Sequence, residues 1–250
     1  MISCNKTRFL GVLLTLIITA MIFQVKSQNL PVSDQFGTSA GNLEIRFIGH
    51  GSLMFRMGDI IVYVDPVRSS GSYDDLPKAD IILVTHEHYD HLDADLINTL
   101  KKGSSVILCN GAGAPKVKGA IAVKAGDTRQ TGNVTIEAVP AYNIVNERTP
   151  GQPFHPKGAG VGYILSFGGK RIYVAGDTEN TPEMKALKNI DIAFLPMNLP
   201  YTMTPSMVAD AAMAFSPKIL YPYHYGDTNT EEIIKLLNDS GIDVRIRNLK

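Results

Sequence analysis

The sequence predicts a single α/β domain with its helices packed outside a β core. Three observations carry that expectation. Strand-like runs come first and helical ones later, and the same order then repeats. The run ADIILVT at 79–85 is continuously apolar, as in a strand covered on both faces. No linker, repeat motif or low-complexity tract interrupts 41–250. The length of 250 residues suits one large domain. A hydrophobic share of 44% against 19% charged residues marks a globular chain rather than a disordered or fibrous one.

Taken in order, residues 1–8 carry Lys6 and Arg8 and no acid, and 9–23 are apolar or hydroxylic throughout. A short basic stretch before about 15 apolar residues reads as a secretory signal peptide, with cleavage near Ser27. The alternative is an uncleaved N-terminal membrane anchor. Cys4 precedes the apolar run, so it is no lipoprotein acylation site. The expected organisation is a signal peptide at 1–27, a short mature segment at 28–40 and the domain at 41–250. The product is then exported, periplasmic or secreted, unless the anchor is kept. Lys+Arg and Asp+Glu both number 24, and 1–27 contains three bases and no acid, so the mature chain carries 21 bases, a formal charge of −3. That balance, with no basic arm, argues against a nucleic-acid partner. Cys109, at the end of SVILC, reads as a buried thiol, leaving no disulfide partner within the mature chain.

LEIRFI, SLMFRM and DIIVYV, separated by Gly-containing turns, read as an antiparallel meander. The strand at 79–85 follows, then an amphipathic helix at 93–102 with Leu92, Leu96, Ile97 and Leu100 on one face. SSVILC, GAIAVKAG, NVTIEAVP, VGYILSF and KRIYVAG read as further strands. The last third alternates: a helix at 182–188, the strand DIAFLPM, a helix at 206–215 capped by Thr204 and Pro205, the strand KILYPYHYG, a helix at 231–238 capped by Thr230, and the strand IDVRIR. One long irregular stretch, 142–158, is rich in Pro and Gly, and such loops are commonly functional.

The strongest local signal is Thr85-His86-Glu87-His88-Tyr89-Asp90-His91, directly after the apolar strand. Three imidazoles and the Asp90 carboxylate within six residues have no ordinary packing explanation. They are the donors that zinc and similar ions take. In a turn, His86 and His88 can converge on one ion while Asp90 and His91 face a second.

THEHYDHLD resembles the HxHxDH signature of the metallo-β-lactamase fold superfamily. Gly176-Asp177-Thr178 after RIYVA and His224 after ILYPY fall in the order that resemblance requires, and it spans 41–250. It implies a four-layer αββα sandwich in a single domain. Within the superfamily the chain looks most like hydrolases related to ascorbate-phosphate lactonases and phospholipase D-type N-acylethanolamine enzymes, which share the motif seen here as Gly49-His50-Gly51-Ser52. The resemblance implies two divalent metal ions, zinc first, with manganese or iron as alternatives. His86 and His88 would bind one, Asp90, His91 and His224 the other, and Asp177 both. β-Lactamases themselves carry Cys or Ser at the Asp177 position, which argues against antibiotic hydrolysis.

One position departs from the pattern. The third histidine of the first metal is replaced by Asn143, and the next histidine is His155. Either can complete the site; His155 is favoured, since without it that metal has two imidazoles and a shared carboxylate. Asp65, in YVDP, is read as supporting the ligand loop. His50 is read as an edge-of-core histidine or one beside ligands or substrate. Tyr201 and Thr202 are read as substrate contacts or as a helix-entry turn with a half-buried tyrosine. The resemblance further implies a metal-bridged hydroxide that attacks an ester, lactone or phosphodiester of a small molecule. Asp90 would orient it and pass a proton to the leaving atom. The rival expectations are a mononuclear iron oxygenase and a non-catalytic exported metal-binding protein. The pocket is expected between 143–157 and 199–203, with Lys157 either facing an anion or solvated.

Overall fold

The computed structural model describes Met1 and residues 32–250. The apolar run at 9–23, Cys4 and the cleavage position near Ser27 lie outside the described residues. Within those residues no helix is long and apolar enough to cross a membrane.

Two seven-stranded sheets face each other. The first runs β1 (Ser33–Thr38), β2 (Gly41–Gly49), β3 (Ser52–Met57), β4 (Ile60–Val64), β5 (Ala79–Val84), β6 (Lys101–Asn110) and β7 (Ile121–Val123), in that spatial order. The second contains β8 (Thr128–Thr131) and β9 (Val134–Ala141). After a small hairpin of β10 (Glu147–Thr149) and β11 (Gln152–Pro153) come β12 (Gly160–Phe167), β13 (Lys170–Val174), β14 (Ile192–Pro196), β15 (Ile219–Tyr223) and β16 (Asp243–Val244). Its spatial order is β16-β15-β14-β13-β12-β9-β8.

Each sheet repeats one pattern. Pairings from β1 to β4 are antiparallel and from β4 to β7 parallel. Likewise β8, β9, β12 and β13 pair antiparallel and β13 to β16 parallel. The meander is thus as expected, and its residues show why. In β2 alternate side chains Leu43, Ile45 and Phe47 are buried, while in β5 Ile81 to Val84 are all buried.

The faces between the sheets form one core, joining Leu43, Ile45, Phe55 and Leu83 to Tyr163, Leu165, Phe194 and Tyr221. The outer face of the first sheet takes α1 (Ala94–Leu100) through Leu96, Ile97 and Leu100. On the second, α3 (Pro205–Phe215) contributes Val208, Ala211, Ala212 and Phe215, and α4 (Thr230–Leu236) contributes Ile233. The short α2 (Pro182–Lys185) adds Met184. The layering is αββα in a single domain.

Four local expectations need correction. The domain starts before position 41: β1 pairs with β2 along its whole length, and Asp34 within it holds Arg245 and Arg247. The helix expected at 182–188 is one turn, since the Ala186 N–H already closes back on Met184 and Pro182. The cap of α4 is Asn229 rather than Thr230, its side chain accepting from the Glu231 N–H at 3.1 Å. IDVRIR pairs over only two residues, because Arg245 and Arg247 turn towards Asp34.

Candidate metal centre

All the singled-out histidines and acids sit at one end of the two sheets, mostly beyond the carboxyl ends of strands. That is where α/β sheets leave a crevice for ligands. His50 follows β2, Asp65 follows β4, and His86 to His91 follow β5. Asn143 follows β9, Asp177 follows β13, and His224 follows β15. His50, Asp65 and His224 have φ of 52°, 45° and 46°, a left-handed backbone rare outside glycine and concentrated at functional sites.

Each buried imidazole is held by its Nδ1 and turns its Nε2 to a common centre. The Thr85 hydroxyl donates to Asp65 Oδ2 at 2.6 Å, so it accepts from His86 Nδ1–H at 3.0 Å. His91 Nδ1 donates to the same Asp65 oxygen at 2.8 Å, and the Thr85 N–H donates to Asp65 Oδ1 at 2.7 Å. His155 Nδ1 donates to Asn143 Oδ1 at 2.7 Å, and the Asn198 amide lies 3.4 Å from His224 Nδ1. At His86, His91 and His155 donation from Nδ1 fixes the tautomer and turns Nε2 to the centre, the usual support for a metal-binding histidine, whereas the Asn198 Nδ2 beside His224 is a donor and makes Nδ1 of that ring the acceptor.

The facing atoms form three groups that could hold an ion: His86, His88 and His155; His86, His91 and Asp177; and His50, Asp90, His91 and His224. Asp177 lies among them. Its Oδ1 is 3.4 Å from His91 Nε2, and its Oδ2 is 3.4 Å from His155 Nε2 and 3.5 Å from His224 Nε2. His91 Nε2, His224 Nε2 and Asp177 Oδ1 are buried without a hydrogen-bond partner. Orphaned atoms of that kind are costly and call for an explanation. A divalent cation shared among them supplies one, so the donor set fits metal.

The electrostatics agree. Burial, then the neighbouring His91, push His86 well below its ordinary value, and burial pushes His155 down to about 4. Both are neutral, the form that ligates. Burial also pulls on His91, but Asp177 and Asp65 outweigh it and push it up to about 9. Burial raises Asp90 and Asp177, yet the surrounding imidazoles hold both well below the usual carboxylate range. The pocket carries ionised acids and draws positive charge.

The structure places the remaining expected residues as follows. His155 Nε2 faces the centre, 3.4 Å from Asp177 Oδ2, and Asn143 Oδ1 accepts from both the N–H (3.0 Å) and Nδ1 of His155. The two alternatives are partners. Asp65 is buried and supports the ligand loop. His50 lies with the ligand groups, its Nε2 3.3 Å from Asp90 Oδ2 and its ring 3.8 Å from that of His224. Tyr201 is 46% exposed and lines the pocket, whereas Thr202 is buried and accepts from the Asn198 N–H. Lys157 leaves the pocket, pairing with Glu183 over the Tyr142 ring. The pocket encloses about 500 Å³ and is also lined by His88, Tyr89 and Arg148.

Sequence reasoning missed Glu179. Fully buried, it accepts from the N–H groups of Ile144 and Val145 at 2.8 Å, that of Asn146 at 2.7 Å, and the Asn143 amide at 3.1 Å. This carboxylate shapes the loop that carries Asn143 and so orients His155. Its only trace in the sequence is an acid two places after Asp177. In the Gly-His-Gly-Ser motif, Gly51 leaves room for His91, whose Cε1 lies 2.9 Å from where a Cβ would stand, and Ser52 donates to the Asp65 carbonyl.

The family model described as Beta-lactamase superfamily domain matches residues 44–224, from β2 to the last site histidine. The chain belongs to the β-lactamase superfamily. Among its superfamily relatives, a candidate metal-dependent hydrolase from Parabacteroides distasonis has a crystal structure that matches at a TM-score of 0.83. It shares 52% identity over 87% of this chain and 99% of its own. A UPF0173 metal-dependent hydrolase of Symbiobacterium thermophilum is 30% identical over 195 residues, covering 74% of this chain and 84% of that one. Its counterpart in Archaeoglobus fulgidus is 27% identical over 224 residues, 83% of this chain and 96% of that one.

Proposed function

We propose that the chain is a metal-dependent hydrolase that holds two divalent metal ions and cleaves an ester, lactone or phosphodiester bond of a small molecule. The observation that carries this reading is the set of orphaned, converging atoms around Asp177, on a chain whose relatives are named metal-dependent hydrolases. His86, His88 and His155 would hold one ion, Asp90, His91 and His224 the other, and Asp177 both. When bound, two such ions supply Lewis acidity and a hydroxide nucleophile at neutral pH.

The protein's own groups do the rest. Asp90 is ionised, lies 3.3 Å from His50 Nε2 and lines the pocket, so it can orient the attacking water and carry a proton to the leaving oxygen. His50 steadies that carboxylate. Tyr201, edge-on to Phe154 at 5.1 Å, walls the substrate side. Zinc is the first candidate metal and manganese or iron the alternatives, because imidazole and carboxylate accept all three. The basic and apolar stretch at 1–27 supports export to the periplasm or beyond.

Elemental analysis of the purified protein and of His155→Ala tests the centre. Two metals per chain, falling to about one in the variant, is the expected result. Hydrolysis of 4-nitrophenyl esters, simple lactones and bis(4-nitrophenyl) phosphate then sorts the bond type. A single iron in both proteins, with oxygen consumption and no hydrolysis, overturns the reading in favour of an oxygenase.

A further inference from the structure

Arg148 has no part in holding a metal, yet it lines the same pocket as His88, His155 and Asp177. It belongs to β10, and Phe154, just after β11, lies beneath its guanidinium, the Cζ 5.3 Å from the ring centroid. Phe154 in turn meets Tyr201 edge-on at 5.1 Å. The guanidinium rests over this aromatic pair and is exposed to solvent. Among the described residues no carboxylate lies within ion-pair distance of Arg148.

Arg148 is exposed where it lines the pocket, and its guanidinium fork matches the carboxylate and phosphate oxygens of an anion that enters there. The remaining lining residues are acidic, neutral or imidazole, so no other lysine or arginine of the pocket can take that part.

We propose that Arg148 determines specificity by binding a second anionic group of the substrate, a carboxylate or phosphate set apart from the bond that is cleaved. The inference rests on the hydrolase reading of the same pocket. It selects, from the esters, lactones and phosphodiesters that reading allows, those bearing a further oxyanion.

The test is a calorimetric titration of the zinc-loaded full chain with butyrate, glutarate and 4-phosphonobutyrate. One carboxylate can occupy the centre, and only the longer dianions can also reach the arginine. Glutarate should bind about tenfold more tightly than butyrate, the worth of a charge-assisted hydrogen bond at the low end of its range. Arg148→Gln should bring that ratio close to one, and Arg148→Lys, which keeps the charge without the fork, should fall between. Tighter binding of 4-phosphonobutyrate than of glutarate assigns a phosphate, and weaker binding assigns a carboxylate. Equal affinities for butyrate and glutarate in the unaltered protein overturn the proposal. So does an equal fall in both variants, which would report a collapsed hairpin rather than a lost ion pair. Failure of the protein to cleave any ester, lactone or phosphodiester removes the hydrolase reading instead, and the titrations still decide on Arg148.

Discussion

Asn143 and His155 show how one contact turns a substitution into a working arrangement. Where the superfamily pattern has a histidine, this chain has an amide whose oxygen lies 2.7 Å from the Nδ1 of a histidine twelve residues on. Asn143→Ala should therefore weaken metal binding at the His86–His88–His155 group about 10–100-fold, as loss of a ligand's supporting hydrogen bond does elsewhere. Chelator competition on the refolded protein measures that directly. Cys109 gives a contrasting expectation: burial pushes its thiol up to about 12, so it should react with a disulfide reagent only after denaturation.

At the scale of elements, the loop after β9 depends on a buried carboxylate rather than on its own propensity. Three successive N–H groups, of Ile144, Val145 and Asn146, donate to Glu179. Glu179→Gln keeps the shape but offers one acceptor oxygen and an unmatched NH₂. It should cost about 1–3 kcal/mol in a urea titration, with the loss of metal affinity exceeding the loss of stability if the loop positions His155. The cap of α4 gives a cleaner comparison. Asn229→Ala should cost about 1 kcal/mol and Thr230→Ala much less, because the side-chain acceptor for the first turn is Asn229.

For the whole molecule, Asp34 ties the first strand to the last residues of the chain. Burial pushes its carboxyl up, but hydrogen bonds from Tyr221, Arg247 and Arg245 more than offset this and hold it below its ordinary value. A carboxyl lower in the folded than in the unfolded state stabilises fully above the unfolded value of about 3.9. That stability fades as pH falls through the folded value. The melting temperatures of the native chain and of Asp34→Asn should thus differ at neutral pH and converge in acid. Metal acts on the same global balance: at a free ion concentration about 100 times Kd it should add about 2.7 kcal/mol, and a chelator should lower the melting temperature accordingly.

The sequence alone determined the α/β class, the meander, the covered strand β5 and the HxHxDH cluster, because those signals lie in periodicity and in residues a few places apart. Asp177 and His224 were legible only through the motif order of the superfamily that the chain resembles. Tertiary structure decided the rest. It made β1 part of the sheet, because Asp34 meets Arg247 across 213 positions. It faced His155 to Asp177 and made Asn143 its hydrogen-bond partner, brought His50 to Asp90, and turned Lys157 away to Glu183. It also disclosed Glu179, whose partners are backbone N–H groups with no identity in the sequence. Local propensity acts through neighbours along the chain, whereas a ligand's orientation and a loop's shape are set by which groups two folded sheets bring within 3 Å of each other.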